Sequence, residues 1–104
     1  MDDRLHINDL MDFYLPLLTE KQKNVCRNYY SDDLSLAEIA ELEGISRAAV
    51  SDTLHTCRQQ LQYYEDTMHC LSNMKKRLKL YSQLEKHTDE QGLRLLNKCK
   101  ESEG

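Results

Sequence analysis

The stretch "SLAEIAELEGISRAAVSDTLHTCRQQL", residues 35–61, has the pattern of two helices joined by a tight turn. Ser35 followed by Glu38 is a capping-box sequence and predicts the start of a short first helix. Gly44 supplies the left-handed residue that ends this helix, and Ser46 is placed to cap the next one. The apolar residues expected to pack between the two helices are Leu36, Ile39, Ile45, Val50 and Leu54. The sequence therefore predicts a helix-turn-helix.

The segment before this motif is also predicted to be helical. The chain has only three glycines and one proline among its 104 residues, and no window alternates apolar and polar residues as a strand would. A first amphipathic helix is expected after Asn8, a candidate N-cap, and should end or kink near Pro16. A capping box from Thr19 to Gln22 starts a second helix. The buried side chains expected on that helix include Val25, Cys26 and Tyr29.

Apolar residues after the turn follow a heptad spacing that predicts a long helix. They are Val50, Leu54, Cys57, Leu61, Tyr64, Met68 and Leu71. Beyond Leu71 the phase shifts, which indicates either a kink in one helix or a break between two. A capping box from Thr88 to Gln91 predicts a last helix. We therefore expect an all-α fold, one compact domain overall, with a helix-turn-helix head at residues 1–62 and a helical extension at 63–104.

Charge is unevenly distributed along the chain. The formal net charge is −4, and residues 31–62, with two arginines and six acids, carry all of it (2 − 6 = −4). DNA affinity at physiological salt generally rests on about six to ten neutralised phosphates. Two cations in the motif, or four in a dimer, are few by that measure. Two interpretations therefore stay open, a DNA-reading module and a trihelical packing module.

If the second helix of the motif enters a DNA groove, its exposed residues define the contact surface. The expected nucleic-acid-binding residues are Ser46, Arg47, Ser51, His55 and Arg58. Ser46 and Arg47 would contact phosphate at the positive end of the helix dipole. Ser51 and His55 would reach base edges. Asp52 lies on the same surface and would be repelled by the phosphates unless it accepted a hydrogen bond from a cytosine amino group.

A second candidate surface is the basic cluster "KKRLK" at residues 75–79. Its cations are Lys75, Lys76, Arg77 and Lys79. They are either an electrostatic contact for RNA, DNA or an acidic partner, or a solvated helix face.

The long apolar seam also has two interpretations, because it could pack on its own chain or on a second subunit. We favour a homodimer, since the seam offers more apolar surface than a small head can cover, and helix-turn-helix proteins often dimerise. The residues expected in the interface are Tyr64, Met68, Leu71, Met74, Leu78 and Tyr81.

Catalysis, metal binding and membrane insertion have little support in the sequence. The four cysteines are widely spaced, no second pair completes a metal site beside His69 and Cys70, and no nucleophile motif or phosphate-binding glycine loop is present. We therefore expect no enzyme activity, no cofactor, no metal and no small-molecule substrate. The charged N-terminus and the lack of a long apolar run indicate a cytoplasmic protein that contacts no membrane.

Three segments resemble the YlxM family of small bacterial proteins. They are "LLTEKQKN" at residues 17–24, "YYSDDLSLAEIAE" at 29–41 and "ISRAAVSD" at 45–52. The resemblance implies an all-α bundle with a helix-turn-helix similar to DNA-binding region 4 of sigma factors, a long helix continuing from the recognition helix, and a C-terminal helix. It also implies a non-enzymatic regulatory role associated with the signal recognition particle pathway, because the family's gene usually neighbours those of the particle's GTPase and its receptor.

The chain departs from the sigma-type pattern on the recognition helix. Several positions that are Lys or Arg in sigma-type helices hold Ser51, Asp52, Thr53 and Thr56 here. The resemblance therefore leaves two functions open. One is a nucleic-acid-binding regulatory accessory of the targeting pathway. The other is an interaction module that binds no DNA and instead binds the particle's GTPase or its RNA.

Overall fold

Residues 3–103 are described by a computed structural model, and the regular secondary structure in that range is entirely helical. The six α-helices are α1 (Asp3–Tyr14), α2 (Glu20–Cys26), α3 (Leu36–Glu43), α4 (Arg47–Met68), α5 (Cys70–Glu85) and α6 (Glu90–Glu103). Tertiary contacts divide them into two compact units, one ending at Met68 and one beginning at His69. The predicted all-α class is confirmed, and so is a long helix that continues from the second helix of the motif.

Helix α1 ends close to Pro16, as the helix-breaking effect of proline predicts. It stops at Tyr14, and Pro16 lies in the short 3₁₀ turn Leu15–Leu17 that follows. The predicted N-cap at Asn8 is wrong, because α1 begins at Asp3 and Asn8 lies inside it. The Asn8 side chain instead donates Nδ2–H to the carbonyl oxygen of Tyr30 at 3.3 Å. The Asn8 side chain is therefore a donor in a contact between segments and does not accept from the start of its own helix.

The capping box of α2 is confirmed, but the buried tyrosine differs from the prediction. Thr19 Oγ1 accepts from the Gln22 backbone N–H at 3.2 Å, and Gln22 Oε1 accepts from the Thr19 N–H at 3.0 Å. After Cys26 the chain continues as a π-helical turn, Arg27–Ser31. The wider i→i+5 turn shifts the following side chains around the helix axis. Tyr30 is therefore buried, with 7% of its surface exposed, whereas Tyr29 is only half-buried.

The helix-turn-helix has the local structure that its sequence predicts. Ser35 and Glu38 form a complete capping box at the start of α3. Gly44 has φ 70° and ψ 34°, the left-handed conformation that ends this helix. Ser46 Oγ accepts from the Ala49 N–H at 3.0 Å and so caps α4. Packing between the two helices buries Ile39, Ala40, Val50 and Leu54, whereas Leu36 and Ile45 are only half-buried.

Helix α4 is the central element of the first unit and contacts α1, α2 and α3. Its buried seam contains Val50, Leu54, Cys57 and Leu61, each at most 2% exposed. The core residues facing it include Ile7, Leu10 and Met11 of α1 and Val25 and Cys26 of α2. Glu65 is also buried on α4, where the Tyr14 hydroxyl donates to its Oε1 at 2.7 Å. The apolar periodicity did not predict this buried carboxylate.

The phase shift predicted near Leu71 corresponds to a break between two helices. His69 has a left-handed backbone with φ 58°, which separates α4 from α5. Helix α4 itself runs through residues 62 and 63 without interruption. Of the two alternatives for this region, a kink in one helix or two separate helices, the second is therefore observed.

The second unit consists of the helices α5 and α6, which pack against each other. Arg77 donates to Glu103 twice, from Nε to Oε2 at 2.6 Å and from a terminal nitrogen to Oε1 at 2.8 Å. The Tyr81 hydroxyl donates to the same carboxylate at 2.8 Å. The capping box predicted from Thr88 is wrong, since Asp89 Oδ1 accepts from the Gly92 N–H at 2.8 Å. A carboxylate is a better partner for the positive helix end than a hydroxyl, so α6 begins one residue later than expected.

Candidate nucleic-acid interface

The exposed face of α4 carries most of the residues expected to contact nucleic acid. Arg47, Ser51 and His55 are all exposed. They are spaced by four residues, so they lie in one row along the helix. Asp52 is exposed beside this row. The N-terminal two turns of α4 therefore present one fixed cation, one carboxylate and polar groups capable of hydrogen bonding.

Ser46 lies just before this row and has two roles available to it. Its Oγ accepts the Ala49 N–H and caps the helix, while its own hydroxyl proton remains able to donate to an anion. The residue is exposed. An anion beside Ser46 would also meet the positive end of a 22-residue helix, α4.

Arg58 continues the same row but is held by the core of the unit. It is half-buried, and one terminal nitrogen donates to the Tyr30 hydroxyl at 2.9 Å. Together with Arg4, Tyr29 and Tyr30 it lines a surface pocket of about 300 Å³. The structure therefore places Arg58 in a basic, aromatic pocket at the border of the exposed face.

Arg4 is a candidate site residue that the sequence pattern did not indicate. Its guanidinium carbon lies 4.8 Å from the ring centroid of Tyr29 and 5.6 Å from that of Tyr30. Its terminal nitrogen donates to the Tyr29 carbonyl at 2.7 Å and pairs with Asp33 at 3.3 Å. Arg4 precedes Arg58 by 54 residues (58 − 4). No local spacing rule connects residues so far apart, so only the packing of α1 brings them together.

The limits of the exposed α4 face are set by α1 and α2. Toward its C-terminal end, Gln62 Oε1 and His6 Nε2 are hydrogen-bonded at 2.9 Å, so α1 covers that part of the helix. On the other edge, Asp52 and Lys21 of α2 line a second pocket of about 300 Å³. The surface open to a ligand therefore extends from Ser46 to Arg58.

The basic cluster of α5 has fewer available cations than its sequence suggests. Lys75, Lys76 and Lys79 are exposed, and none of them takes part in an ion pair within residues 3–103. Arg77, in contrast, is bound by both oxygens of Glu103. Hydrogen bonds from Arg77 and Tyr81 lower the pKa of Glu103, which keeps the pair charged. Three lysines therefore remain as the free charge of this cluster.

The residues expected in a dimer interface differ in exposure. Met68 is 43% exposed and Leu78 is 38% exposed. Tyr64, Met74 and Tyr81 are half-buried, and Leu71 is buried. Tyr64 also lines a pocket of about 470 Å³ together with the 66% exposed Tyr63. Apolar surface is thus available at the end of α4 and on α5.

Groups suited to metal or covalent chemistry are sparse in the described part of the chain. Within residues 3–103 there is no cluster of three His, Cys, Asp or Glu side chains able to hold a metal ion. Cys26 and Cys57 are buried against each other, and the hydrogen bond between them together with burial raises the pKa of Cys26. Over the same range, no helix is both long enough and apolar enough to cross a membrane.

The comparisons with known proteins agree with this architecture. Residues 1–101 match the model of the family described as "Putative helix-turn-helix protein, YlxM / p13 like", UPF0122. A UPF0122 protein of Clostridium botulinum is 54% identical over 71 residues, which are 68% of this chain and 65% of that protein's length. One from Clostridium perfringens is 43% identical over 84 residues, covering 81% of this chain and 75% of the relative.

A third relative, a UPF0122 protein of Halalkalibacterium halodurans, is similar over more of the chain. It is 42% identical over 91 residues, covering 88% of this chain and 84% of its own. The match to the family model extends over both units, from the first helices to α6. With its helix-turn-helix of α3 and α4, this chain belongs to the bacterial UPF0122 family of YlxM/p13-like helix-turn-helix proteins.

Proposed function

We propose that this protein is a regulatory nucleic-acid-binding protein that inserts the first turns of α4 into the major groove of DNA. The observation that carries the proposal is the exposed row of Arg47, Ser51 and His55 behind the cap residue Ser46. This face has the geometry of a recognition helix, whose N-terminal residues meet base edges. The proposed setting is the cytoplasm, as an accessory of the signal recognition particle pathway, which the resemblance to the YlxM family suggests.

Each residue of the face has a proposed role. Ser46 and Arg47 hold a phosphate at the start of the helix, where the dipole adds to the attraction. Ser51 and His55 contact base edges. Asp52 is repelled by the phosphates and accepts a hydrogen bond from a cytosine amino group. Because the face carries so few cations, we expect modest affinity with specificity that rests on base contacts rather than on charge.

The proposal is tested by electrophoretic mobility shifts with fragments of the bacterium's own genome at about 150 mM salt. Wild-type protein at micromolar concentration should shift a subset of fragments. Arg47→Ala should weaken binding by roughly tenfold, in keeping with about 1.4 kcal/mol for a lost charged contact. The matched control is Arg94→Ala, which removes an exposed cation on α6 and should bind like wild type. No shift by wild type, or equal shifts by Arg47→Ala, would rule the function out.

A second candidate function uses α5 instead of α4. We propose, as the alternative, that the protein binds no DNA and contacts the RNA or the GTPase of the signal recognition particle. Two observations favour it: Lys75, Lys76 and Lys79 are exposed without ion pairs within the described chain, and residues 31–62 are strongly acidic. A free lysine surface attracts phosphate or an acidic protein face without regard to base sequence.

A pull-down with this protein as bait, probed for the particle's RNA and its GTPase, distinguishes the alternative from DNA binding. Reversing Lys75 and Lys79 together to glutamate should abolish retention. The matched control reverses Arg94 and Lys98, which have the same spacing on α6, and should leave retention intact. If neither component is retained by wild type, or if both double variants behave alike, α5 is not the contact surface.

We also propose that the protein acts as a homodimer. The interface would be formed by Tyr64, Met68, Leu71, Met74, Leu78 and Tyr81. The exposed Met68 and Leu78 side chains support this proposal, since both leave apolar surface open to solvent and methionine is enriched in interfaces. A dimer presents two recognition helices to two half-sites and doubles the small number of phosphate contacts.

A further inference from the structure

We infer that the pocket lined by Arg4, Tyr29, Tyr30 and Arg58 holds a phosphate of the DNA backbone when α4 enters the groove. This pocket, named here the arginine–tyrosine pocket, adds a contact that does not come from the recognition helix alone. The inference rests on the proposed DNA-binding function. Arg4 of α1 supplies positive charge that the acidic helix-turn-helix sequence lacks, beside the Arg58 that the sequence already contains.

Two guanidinium groups meet around one aromatic side chain in this pocket. Arg58 donates to the Tyr30 hydroxyl at 2.9 Å, and the Arg4 guanidinium lies 5.6 Å from the centroid of the same ring. Tyr29 and Tyr30 pack edge to face with centroids 4.9 Å apart. The volume of about 300 Å³ leaves room for a phosphate group with some of its water. The two arginines can therefore approach one anion from different helices.

The balance of charge in the pocket favours an anion. Arg4 pairs with Asp33, whose side chain is 85% exposed and thus well solvated. Arg58 has no acidic partner within residues 3–103. Counting the three groups, the pocket has a net charge of +1. Each guanidinium carries five N–H donors, and the hydrogen bonds described for both use one terminal nitrogen. The remaining donors are available for a phosphate oxygen.

The pocket is also held in place before any ligand binds. Stacking on two tyrosine rings and the 2.7 Å hydrogen bond to the Tyr29 carbonyl hold Arg4, and Tyr30 holds Arg58. The Asn8 side chain and the π-helical turn fix the position of Tyr30 in turn. Ordering flexible arginines on binding reduces affinity, so a preorganised pair binds an anion more tightly than two free surface cations.

The position of the pocket fits the docking of α4. Arg58 follows Arg47 by 11 residues, which corresponds to roughly 16 Å along the helix axis. The major groove is about 8.5 Å deep and about 12 Å wide. With Ser51 and His55 between them at the base edges, Arg47 and Arg58 are separated by more than the width of the groove and can reach phosphates on its opposite edges. Arg47 and the arginine–tyrosine pocket would then contact different phosphates.

The test is the salt dependence of binding to a fluorescein-labelled 30-base-pair DNA duplex taken from a genomic fragment that wild type shifts. Fluorescence anisotropy gives Kd for wild type, Arg4→Gln, Arg58→Gln and the control Arg94→Gln between about 50 and 200 mM salt. Each lost phosphate contact reduces the slope of log K against log salt by about 0.9. We expect this reduction and a threefold to tenfold weaker Kd for both pocket variants, and no change for the control.

A merely structural role of the pocket arginines would weaken binding without changing the slope. Tyr30→Phe, which removes the hydroxyl that holds Arg58 but no charge, should weaken binding and keep the wild-type slope. If wild type binds and both pocket variants keep its slope, the inference is overturned and the DNA-binding function stands. If wild type shifts no genomic fragment and binds no duplex taken from one, both are overturned. Should Arg58→Gln fail to fold by circular dichroism, Arg4→Gln decides by the same criterion.

Discussion

Gly44 and His69 both have a left-handed backbone, with φ 70° and φ 58°, yet only the first is a glycine. At Gly44 the helix-turn-helix needs an abrupt turn, and glycine adopts this conformation without steric cost. At His69 the same backbone separates α4 from α5 in a residue that ordinarily avoids it. A glycine at the end of an amphipathic pattern thus predicts a turn, whereas a histidine gives no sign in the sequence that its backbone is left-handed.

The first prediction concerns Gly44. A Cβ at this position would meet no atom within 4 Å, so a substitution is costly only through the backbone conformation. Gly44→Ala should lower the free energy of unfolding by about 1 to 2 kcal/mol, and Gly44→Asn should cost less because asparagine tolerates the left-handed region. Urea unfolding followed by circular dichroism measures both. Equal stability of Gly44→Ala and wild type would mean that the turn adapts to any residue.

At the scale of the elements, small departures from regular geometry determine which side chains meet. The π-helical turn after α2 buries Tyr30 instead of Tyr29 and directs its hydroxyl to Arg58. In the second unit, Arg77 and Tyr81 of α5 meet a single carboxylate of α6. The starts of α2, α3 and α4 could be predicted from their caps, whereas the caps expected for α1 and α6 were wrong. The partners across helices could not be predicted, because they depend on the register between segments far apart in sequence.

The second prediction follows from the Arg77–Glu103 pair. Its hydrogen bonds lower the pKa of Glu103 below the ordinary value of 4.5. The stability from this pair is therefore complete above that value and is lost as the pH falls through the lower folded-state pKa. Between pH 7 and 3, the melting temperature of wild type should fall more steeply than that of Glu103→Gln.

The matched control for this experiment is Glu101→Gln, a neighbouring exposed glutamate in α6. It removes one titrating group without breaking the pair, so its melting temperature should keep the wild-type dependence on pH. If Glu103→Gln and Glu101→Gln give the same profile, the pair does not contribute to stability in solution.

At the scale of the whole molecule, the proposed binding to nucleic acid depends on the positions of a small number of cations. The net charge of −4 offers no general attraction to nucleic acid. Arg47 and Arg58 lie on one row of α4, and Arg4 adds its charge beside Arg58. Arg77 of the basic cluster at residues 75–79 is paired with Glu103, so its charge is not free to bind a ligand. The sequence gives the number of basic residues, but the fold determines which of them are free to contact a ligand.

The third prediction concerns oligomeric state. If the proposed interface forms, sedimentation equilibrium should give twice the chain mass of 12.3 kDa. The double variant Met68→Glu, Leu78→Glu places charges at exposed positions of the interface and should give the monomer mass. Leu42→Glu is the control, since Leu42 is 64% exposed on α3 and lies outside the interface. A monomeric wild type, or a dimer unaffected by the double variant, would contradict the proposal.

The helix class, the turn at Gly44, and the caps at Thr19, Ser35 and Ser46 followed from the sequence, because each depends on residues within one or two turns of each other. The same holds for the buried seam of α4 from Val50 to Leu61, which helical periodicity dictates. The tertiary structure alone decided that Arg4 lies beside Arg58 and that Tyr30 takes the inner position. These contacts join α1, the π-helical turn and α4, and the packing of separate helices against a shared core is a long-range property that no local pattern encodes.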